Sequence, residues 1–291
     1  MMRNGQRRLV PSPRLISDDS SGAGVTARVT RWGHRWRLST GPLVASVPWA
    51  VLLSIAVVIA GWGQGGDGRV YHDVPWPPDY SRSSIFTATY NYSPAFAFWV
   101  QPLRALPWEA FYFVILAGSI ASLAYLVTPW IAVLLIIAQA PLVYRELLEG
   151  NLNLIAGALV VLGLRHGWAW APMLLTKVTP GVGLVWFAVR REWRMLVIAA
   201  GATLVVALPA LVLAPGAWVE WVGSLIGNIG QSDTMPLLIR GPLAVALVVW
   251  GARTDRPWTV ALAVAMSFPA NFLGWVVALG AIRLYRSSVA M

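Results

Sequence analysis

The chain has 291 residues, of which 57% are hydrophobic and only 12% are charged, and it contains no cysteine. A soluble domain carries about 25% charged residues, so this composition excludes an ordinary soluble fold, and the lack of cysteine excludes disulfide and thiolate chemistry. The formal net charge of +10 does not indicate nucleic-acid binding, because the basic residues lie in a terminal tail and in short loops between apolar runs. We therefore expect an all-α polytopic membrane protein.

The first segment, residues 1–42, contains eight arginines among serines, prolines and glycines, and we expect a disordered, basic cytoplasmic tail. Residues 43–291 are predicted to form a single transmembrane domain. No clear small-x-small cleavage site follows the first apolar run, 43–63, so we interpret this run as a retained anchor that leads from inside to outside. The prediction is a multi-pass protein of the cell membrane with a cytoplasmic N-terminus.

Eight apolar segments approach the length that crosses a bilayer. In chain order they are 43–63, 108–127, 129–148, 152–164, 168–190, 195–213, 236–251 and 258–282. Four of the loops are markedly basic, and by the positive-inside rule all four are expected in the cytoplasm. These loops begin at Arg165, Arg190, Arg253 and Arg283.

A single continuous span over 168–190 would place one of its two basic flanks outside. The middle of this segment carries Lys177, Pro180 and Gly181, and proline and glycine both break helices. A lysine at the centre of one lipid-facing helix costs about 3 kcal/mol on insertion scales. We therefore predict two half-helices that meet at a break on the outer side and keep both flanks inside.

The last segment, 258–282, repeats this pattern with Ser267, Pro269 and Asn271 at its middle. Two such broken segments give about ten membrane helices, some of them short. The outer side then collects 64–107, 149–153, 176–182, 214–235 and 267–271. Within the first of these, the proline-rich stretch 94–107 is predicted to form an amphipathic helix in the outer interface.

Short polar motifs lie at these outer breaks, and their order and spacing form a pattern. They are Asp67 and Tyr71 in "DGRVYHD", Tyr90 and Tyr92 in "YNYSPAF", Gly150 and Asn153 in "GNLN", Lys177 and Pro180 in "TKVTP", and the late "SFPANF". The pattern resembles that of GT-C membrane glycosyltransferases, and most closely glycosyltransferase family 87. Asn151 stands where the family has glutamine, and "SFPANF" matches only loosely. The resemblance covers residues 43 to 200 well and the remainder weakly.

The resemblance implies a GT-C-like helical bundle. It also implies an inverting hexosyltransferase that moves a sugar, with mannose as the default and arabinofuranose as the close variant, from a polyprenyl-phosphate donor. The acceptor would be a cell-envelope glycolipid or glycan at the outer face. Tyr71, Tyr90 and Tyr92 would contact substrate.

The chemistry of such a transfer assigns roles independently of the resemblance. A base must take the proton of the acceptor hydroxyl, and cations must neutralise the departing phosphate. Asp67 is our candidate base. The candidates for binding the phosphate are Lys177, Arg69 and His72. The candidates for binding sugar hydroxyls are Asn151 and Asn153. Each residue has a plainer alternative: a solvated turn for Asp67, snorkelling for Lys177, lipid head-group contact for Arg69, a structural role for His72 and helix capping for the asparagines.

The sequence shows no metal-ligand cluster and no phosphate-binding glycine loop, so we predict no metal and no cofactor. Two other functions stay open. Broken helices around a central lysine also occur in transporters, so a transporter or flippase of a lipid-linked substrate is one alternative. A truncated, non-catalytic relative that assembles with a partner is the other.

Overall fold

The computed structural model of the protein describes residues 47–48, 51, 65–81, 90–228, 236–268 and 272–289. From residue 65 onward these residues form thirteen α-helices and three 3₁₀ segments, with no β-strand among them, which confirms the all-α prediction. All of them belong to one compact unit, 38–291. The tail 1–42 and most of the expected first span, 43–63, lie outside the described residues.

The helices are numbered here in chain order. They are α1 Gly66–Asp73, α2 Pro94–Arg104, α3 Trp108–Leu126, α4 Pro129–Ile137, α5 Pro141–Glu149, α6 Asn153–Gly163, α7 Trp170–Thr176, α8 Val185–Val189, α9 Trp193–Leu213, α10 Pro215–Asn228, α11 Leu237–Arg253, α12 Trp258–Ser267 and α13 Leu279–Val289. The 3₁₀ segments are Gly167–Ala169, Thr179–Leu184 and Phe272–Ala278.

Two of the described helices, α3 and α9, are long and apolar enough to cross a membrane. The most apolar stretch of α3 is 61% buried within the protein, whereas that of α9 is 17% buried. Helix α3 is therefore a central helix, and α9 presents most of its apolar surface outward, as a helix against lipid does. The expectation of about ten membrane helices is not confirmed, because the described part of the chain contains two spans, or three if one bent pair counts as a span.

That bent pair replaces the single span expected over 129–148. Helices α4 and α5 meet at an angle of 86°. Gln139, in the connection, has a φ of +48°, and Pro141 opens α5. A positive φ ends an α-helix, and proline has no N–H with which to continue one, so the apolar run folds as two short helices.

The predicted break in 168–190 is present. Helix α7 ends at Thr176, Lys177 has extended backbone, and a 3₁₀ segment starts at Thr179. The two halves then pack on each other, because the rings of Trp170 and Phe187 meet edge to face with centroids 6.3 Å apart. The chain therefore doubles back at Lys177, as the distribution of basic loops predicts.

The last segment also doubles back. Helix α12 ends at Ser267, and its Ala261 lies against Gly280 of α13, where an added Cβ would be 3.2 Å from the Ala261 Cβ. The same Gly280 approaches the Gly157 carbonyl of α6, so α6 packs against this returning segment. Pro269 and Asn271, predicted to form the break, lie outside the described residues.

Candidate active site

The candidate site begins where α1 meets the corner between α5 and α6. Gly150 ends α5 with a φ of +63°, which glycine adopts without a steric penalty. A Cβ on Gly150 would lie 3.3 Å from both the Gly68 Cα and the Tyr112 ring. The glycine of the "GNLN" motif therefore allows α1 to approach the corner closely.

This approach brings Asp67 and Asn151 together. The Nδ2 of Asn151 donates a hydrogen bond to Oδ2 of Asp67, while its Oδ1 accepts one from the backbone N–H of Leu152 at 2.7 Å. Asn151 is fully buried and Asp67 is half-buried. Asn151 is thus fixed at both ends of its amide and orients one oxygen of the carboxylate.

The environment of Asp67 makes it a stronger base than an ordinary aspartate. Burial has the largest effect and raises the pKa of the Asp67 carboxyl, and the negative charge of Glu149 raises it further. The positive charge of Lys177 and the hydrogen bond from Asn151 lower this pKa. The net direction is upward. A base with a raised pKa accepts a proton more readily near neutral pH.

Two residues along the chain, Asn153 is held by Glu146. Oε1 of Glu146 accepts from the backbone N–H of Asn153 at 2.6 Å and from that of Leu154 at 3.2 Å, and Oε2 accepts from Nδ2 of Asn153 at 3.1 Å. Glu146 is fully buried. Its carboxylate therefore caps the N-terminus of α6, where free N–H groups favour an anion.

Glu146 was not among the predicted site residues. The signal was helical spacing, because Glu146 follows Val143 by three residues and precedes Leu147, and these three form the buried face of α5. Arg145 and Glu149, by contrast, form an exposed i, i+4 pair on the same helix at 3.7 Å. A glutamate on the apolar face of a short helix is the feature that marks Glu146.

Lys177 reaches the same corner from the break after α7. Its Nζ donates to Oδ1 of Asn153 at 2.8 Å and lies 4.9 Å from the centre of the Phe268 ring. Among the described residues Lys177 forms no ion pair within 4 Å. The charges of Asp67 and Glu146 act on it from farther away. An amide oxygen and an aromatic face therefore hold the ammonium group.

The three predicted tyrosines form a buried cluster beside α1. The hydroxyl groups of Tyr71 and Tyr92 are hydrogen-bonded at 2.8 Å, and the Tyr90 hydroxyl donates to the Ser93 carbonyl at 2.8 Å. Burial raises the pKa of Tyr71 and Tyr92 well above the usual value, so both phenols are neutral. Tyr71 follows Asp67 by one helical turn and shares its face of α1.

Ser93 ties the start of α2 to the end of α7. Its Oγ and its backbone N–H both donate to the carbonyl of Leu175, at 2.5 Å and 3.3 Å. Leu175 lies two residues before Lys177. The start of α2 and the lysine break are thus joined directly.

The other two phosphate candidates have different neighbours. The Arg69 guanidinium lies 3.8 Å from the centre of the Trp108 ring and is exposed. The Nδ1 of His72 is 2.8 Å from Asp73, and its Nε2 is 3.2 Å from the Leu106 carbonyl. The structure therefore brings Asp67, Tyr71, Tyr92, Asn151, Asn153 and Lys177 into one group and places Arg69 and His72 in contact with other residues.

The family model of glycosyltransferase family 87 matches residues 90–291 of the chain. The match contains Tyr90, Tyr92, Asn151, Asn153 and Lys177, begins after Asp67 and Tyr71, and extends to the last residue. The resemblance inferred from motifs covered 43–200, so the matched region lies farther toward the C-terminus. No curated protein and no solved structure matches the chain.

Proposed function

The chain belongs to glycosyltransferase family 87, and on that premise we propose that it moves a sugar from a polyprenyl-phosphate donor to a hydroxyl group of a cell-envelope glycolipid or glycan. Mannose is the proposed sugar, and the outer face of the cell membrane is the proposed location. The proposed stereochemical outcome is inversion. The family supports glycosyl transfer itself. Mannose, inversion and the outer face are what the motif resemblance implies, and the geometry around Asn151 and Asn153 supports a base and a cation at one corner.

One observation carries the proposal. Asn151 and Asn153 stand two residues apart at one helix corner, and the first holds the carboxylate of Asp67 while the second holds the ammonium of Lys177. Transfer with inversion needs a base for the attacking hydroxyl and a positive charge for the departing phosphate. The corner fixes both groups on one short piece of backbone.

Asp67 is proposed as the base. One of its oxygens accepts the hydrogen bond from Asn151, which leaves the second oxygen for the acceptor hydroxyl. Its half-buried position and raised pKa suit proton removal. Lys177 is proposed to bind the donor phosphate, because one N–H of its ammonium contacts Asn153 and the group has three to donate.

The test is sugar transfer by the purified full-length protein in lipid nanodiscs, with a radiolabelled polyprenyl-phosphate-mannose donor. Asp67→Asn is expected to lower the rate by about 10²–10⁴-fold, since an amide cannot accept the proton. Asp73→Asn is the matched control, because Asp73 is an exposed aspartate on the same helix whose carboxylate contacts His72. A rate for Asp67→Asn near that of the wild type would exclude Asp67 as the base.

A further inference from the structure

Arg240, in the first turn of α11, is a buried cation outside the site described above. Its side chain is 7% exposed. One Nη donates to the backbone carbonyl of Phe268, and Nε has no hydrogen-bond partner. The ion pairs among the described residues do not include Arg240. The Nε has therefore lost its hydration without gaining an acceptor, and the one hydrogen bond of the guanidinium within the described part of the chain is to a carbonyl.

Phe268 links Arg240 to Lys177. Arg240 contacts the carbonyl of this residue, and the Lys177 ammonium lies 4.9 Å from the centre of its ring. Arg240, on α11, and Lys177, at the break after α7, therefore approach the one residue that follows α12. The nearby carboxylates of Asp67 and Glu146 attract the charge of Lys177. Asp67 accepts a hydrogen bond from Asn151, and Glu146 accepts one from Asn153.

A buried charge without a partner is strongly destabilising, typically by several kcal/mol, and an anionic ligand removes that cost. Arginine is suited to phosphate because its planar group donates from several nitrogens in a fixed geometry. The Nε of Arg240 is unsatisfied while an Nη holds the backbone. The side chain is thus anchored and retains a donor for a second acceptor.

We propose that Arg240 is the second cation of the phosphate site and binds the phosphate as it leaves. This inference rests on the proposed function. In the transfer, the bond between the sugar carbon and the phosphate oxygen breaks, and its electron pair stays on that oxygen. A bond forms between the same carbon and the acceptor oxygen, and the acceptor proton passes to Asp67.

The charge of the phosphate changes from one negative in the diester donor to two in the departing monoester. A cation whose contact strengthens as this second charge develops lowers the barrier, whereas a contact equal in both states does not. Lys177 supplies one charge to the bound donor. Arg240 supplies the second charge where the product gains it, so it stabilises the leaving group more than the donor.

The experiment measures equilibrium binding of a polyprenyl monophosphate and of the neutral polyprenol to the full-length protein in nanodiscs, alongside transfer kinetics. Arg240→Gln is expected to weaken binding of the monophosphate by about 10–100-fold, the usual loss for a charged hydrogen bond, and to leave polyprenol binding unchanged. In the kinetics, kcat is expected to fall more than the donor KM rises. Arg240→Lys is expected to lie between, because its ammonium keeps the charge but lacks the planar guanidinium, whose separate nitrogens point at the Phe268 carbonyl and at the phosphate in a fixed geometry.

The matched control is Arg286→Gln. Arg286 also donates from a helix to a backbone carbonyl, that of Val127 at 2.7 Å, but it lies near the opposite end of α3 from Trp108 and α1. Its substitution is expected to leave monophosphate affinity unchanged. If Arg240→Gln fails to fold, Arg240→Lys decides, and an affinity equal to that of the wild type overturns the inference.

The outcomes separate this inference from the proposed function. If the wild type transfers sugar but the affinity for the monophosphate does not depend on Arg240, the inference about Arg240 is overturned and the proposed function stands. Arg240-dependent binding without any transfer overturns the transferase proposal and supports the anion site. A wild type that does not distinguish monophosphate from polyprenol overturns both.

Discussion

Glu146→Gln tests whether the cap of α6 also positions Lys177. The substitution keeps the shape of the side chain and one carbonyl oxygen, which still accepts from the N–H groups of Asn153 and Leu154. The new amide nitrogen faces Nδ2 of Asn153, so two donors meet where a donor met an acceptor. Asn153 must then turn its oxygen toward residue 146, and its nitrogen faces Lys177.

The magnitude follows from the bonds involved. The charged hydrogen bond to Nδ2 is lost, and such a bond contributes about 1.5–3 kcal/mol. For a chain of this size 1 kcal/mol shifts Tm by about 2–4 °C, so Tm is expected to fall by about 3–12 °C. Because Lys177 loses its acceptor on Asn153, the donor KM should rise as well.

The assay is thermal unfolding of the purified protein in detergent at pH 8, with transfer kinetics on the same samples. Glu149→Gln is the stability control, since Glu149 lies on the same helix and its ion pair among the described residues is with the exposed Arg145. An exposed pair of this kind contributes about 0.5 kcal/mol or less. If Glu146→Gln shifted Tm no more than the control and left the donor KM unchanged, the link from Glu146 to Lys177 would be refuted.

Three further predictions follow from the same corner. Gly150→Ala is expected to lower Tm, because alanine at a φ of +63° costs about 1–2 kcal/mol and its Cβ would press on Gly68 and Tyr112. A variant with the wild-type Tm in thermal unfolding would contradict this prediction. Lys177→Met is expected to be expressed normally, because the direct hydrogen-bond acceptor of Lys177 is a neutral amide, and to lower donor use far more than acceptor use. Lys177→Arg is expected to retain part of the transfer rate. Full activity of a well-expressed Met variant in the transfer assay would remove Lys177 from the site. Asp67→Asn is expected to match or exceed the wild-type Tm at pH 8. The raised pKa of Asp67 means that the folded state holds this proton more tightly than the unfolded state does. The resulting contribution to the free energy of unfolding is present below the ordinary pKa of 3.8 and is lost as the pH rises through the pKa of the folded state. The advantage of Asp67→Asn should therefore shrink toward pH 4, and a lower Tm than the wild type at pH 8 would show that the sign is wrong.

The break at Lys177 was predictable because local chemistry determines it. Lys177 and Pro180 in one apolar run are incompatible with a continuous lipid-facing helix, and the run does double back at that point. The meeting of Asp67 with Asn151, and of Lys177 with Asn153, agrees with the prediction that the motifs at several helix ends lie on one side. Here the sequence was sufficient because topology alone brings these motifs together.

The number of spans was not predictable from hydropathy. An apolar run records how many residues avoid water and not where the helix axis turns, so the 86° bend between α4 and α5 was invisible. Glu146 and Arg240 were missed for a related reason. Their importance depends on which face of a helix is buried, and that face is set by neighbours distant in the sequence.

The bond between Ser93 and the Leu175 carbonyl bears on how the site discriminates between two nucleophiles. A broken helix exposes carbonyls that water ordinarily satisfies, but here Ser93, at the start of α2, donates twice to the carbonyl of Leu175, two residues before the lysine. The Leu175 carbonyl therefore needs no bound water. A sugar transferase competes with hydrolysis of its own donor, and a break closed by protein groups brings less water to the donor than a hydrated break would. If the chain transfers sugar as proposed, the serine at the start of α2 is expected to favour transfer over hydrolysis of the donor.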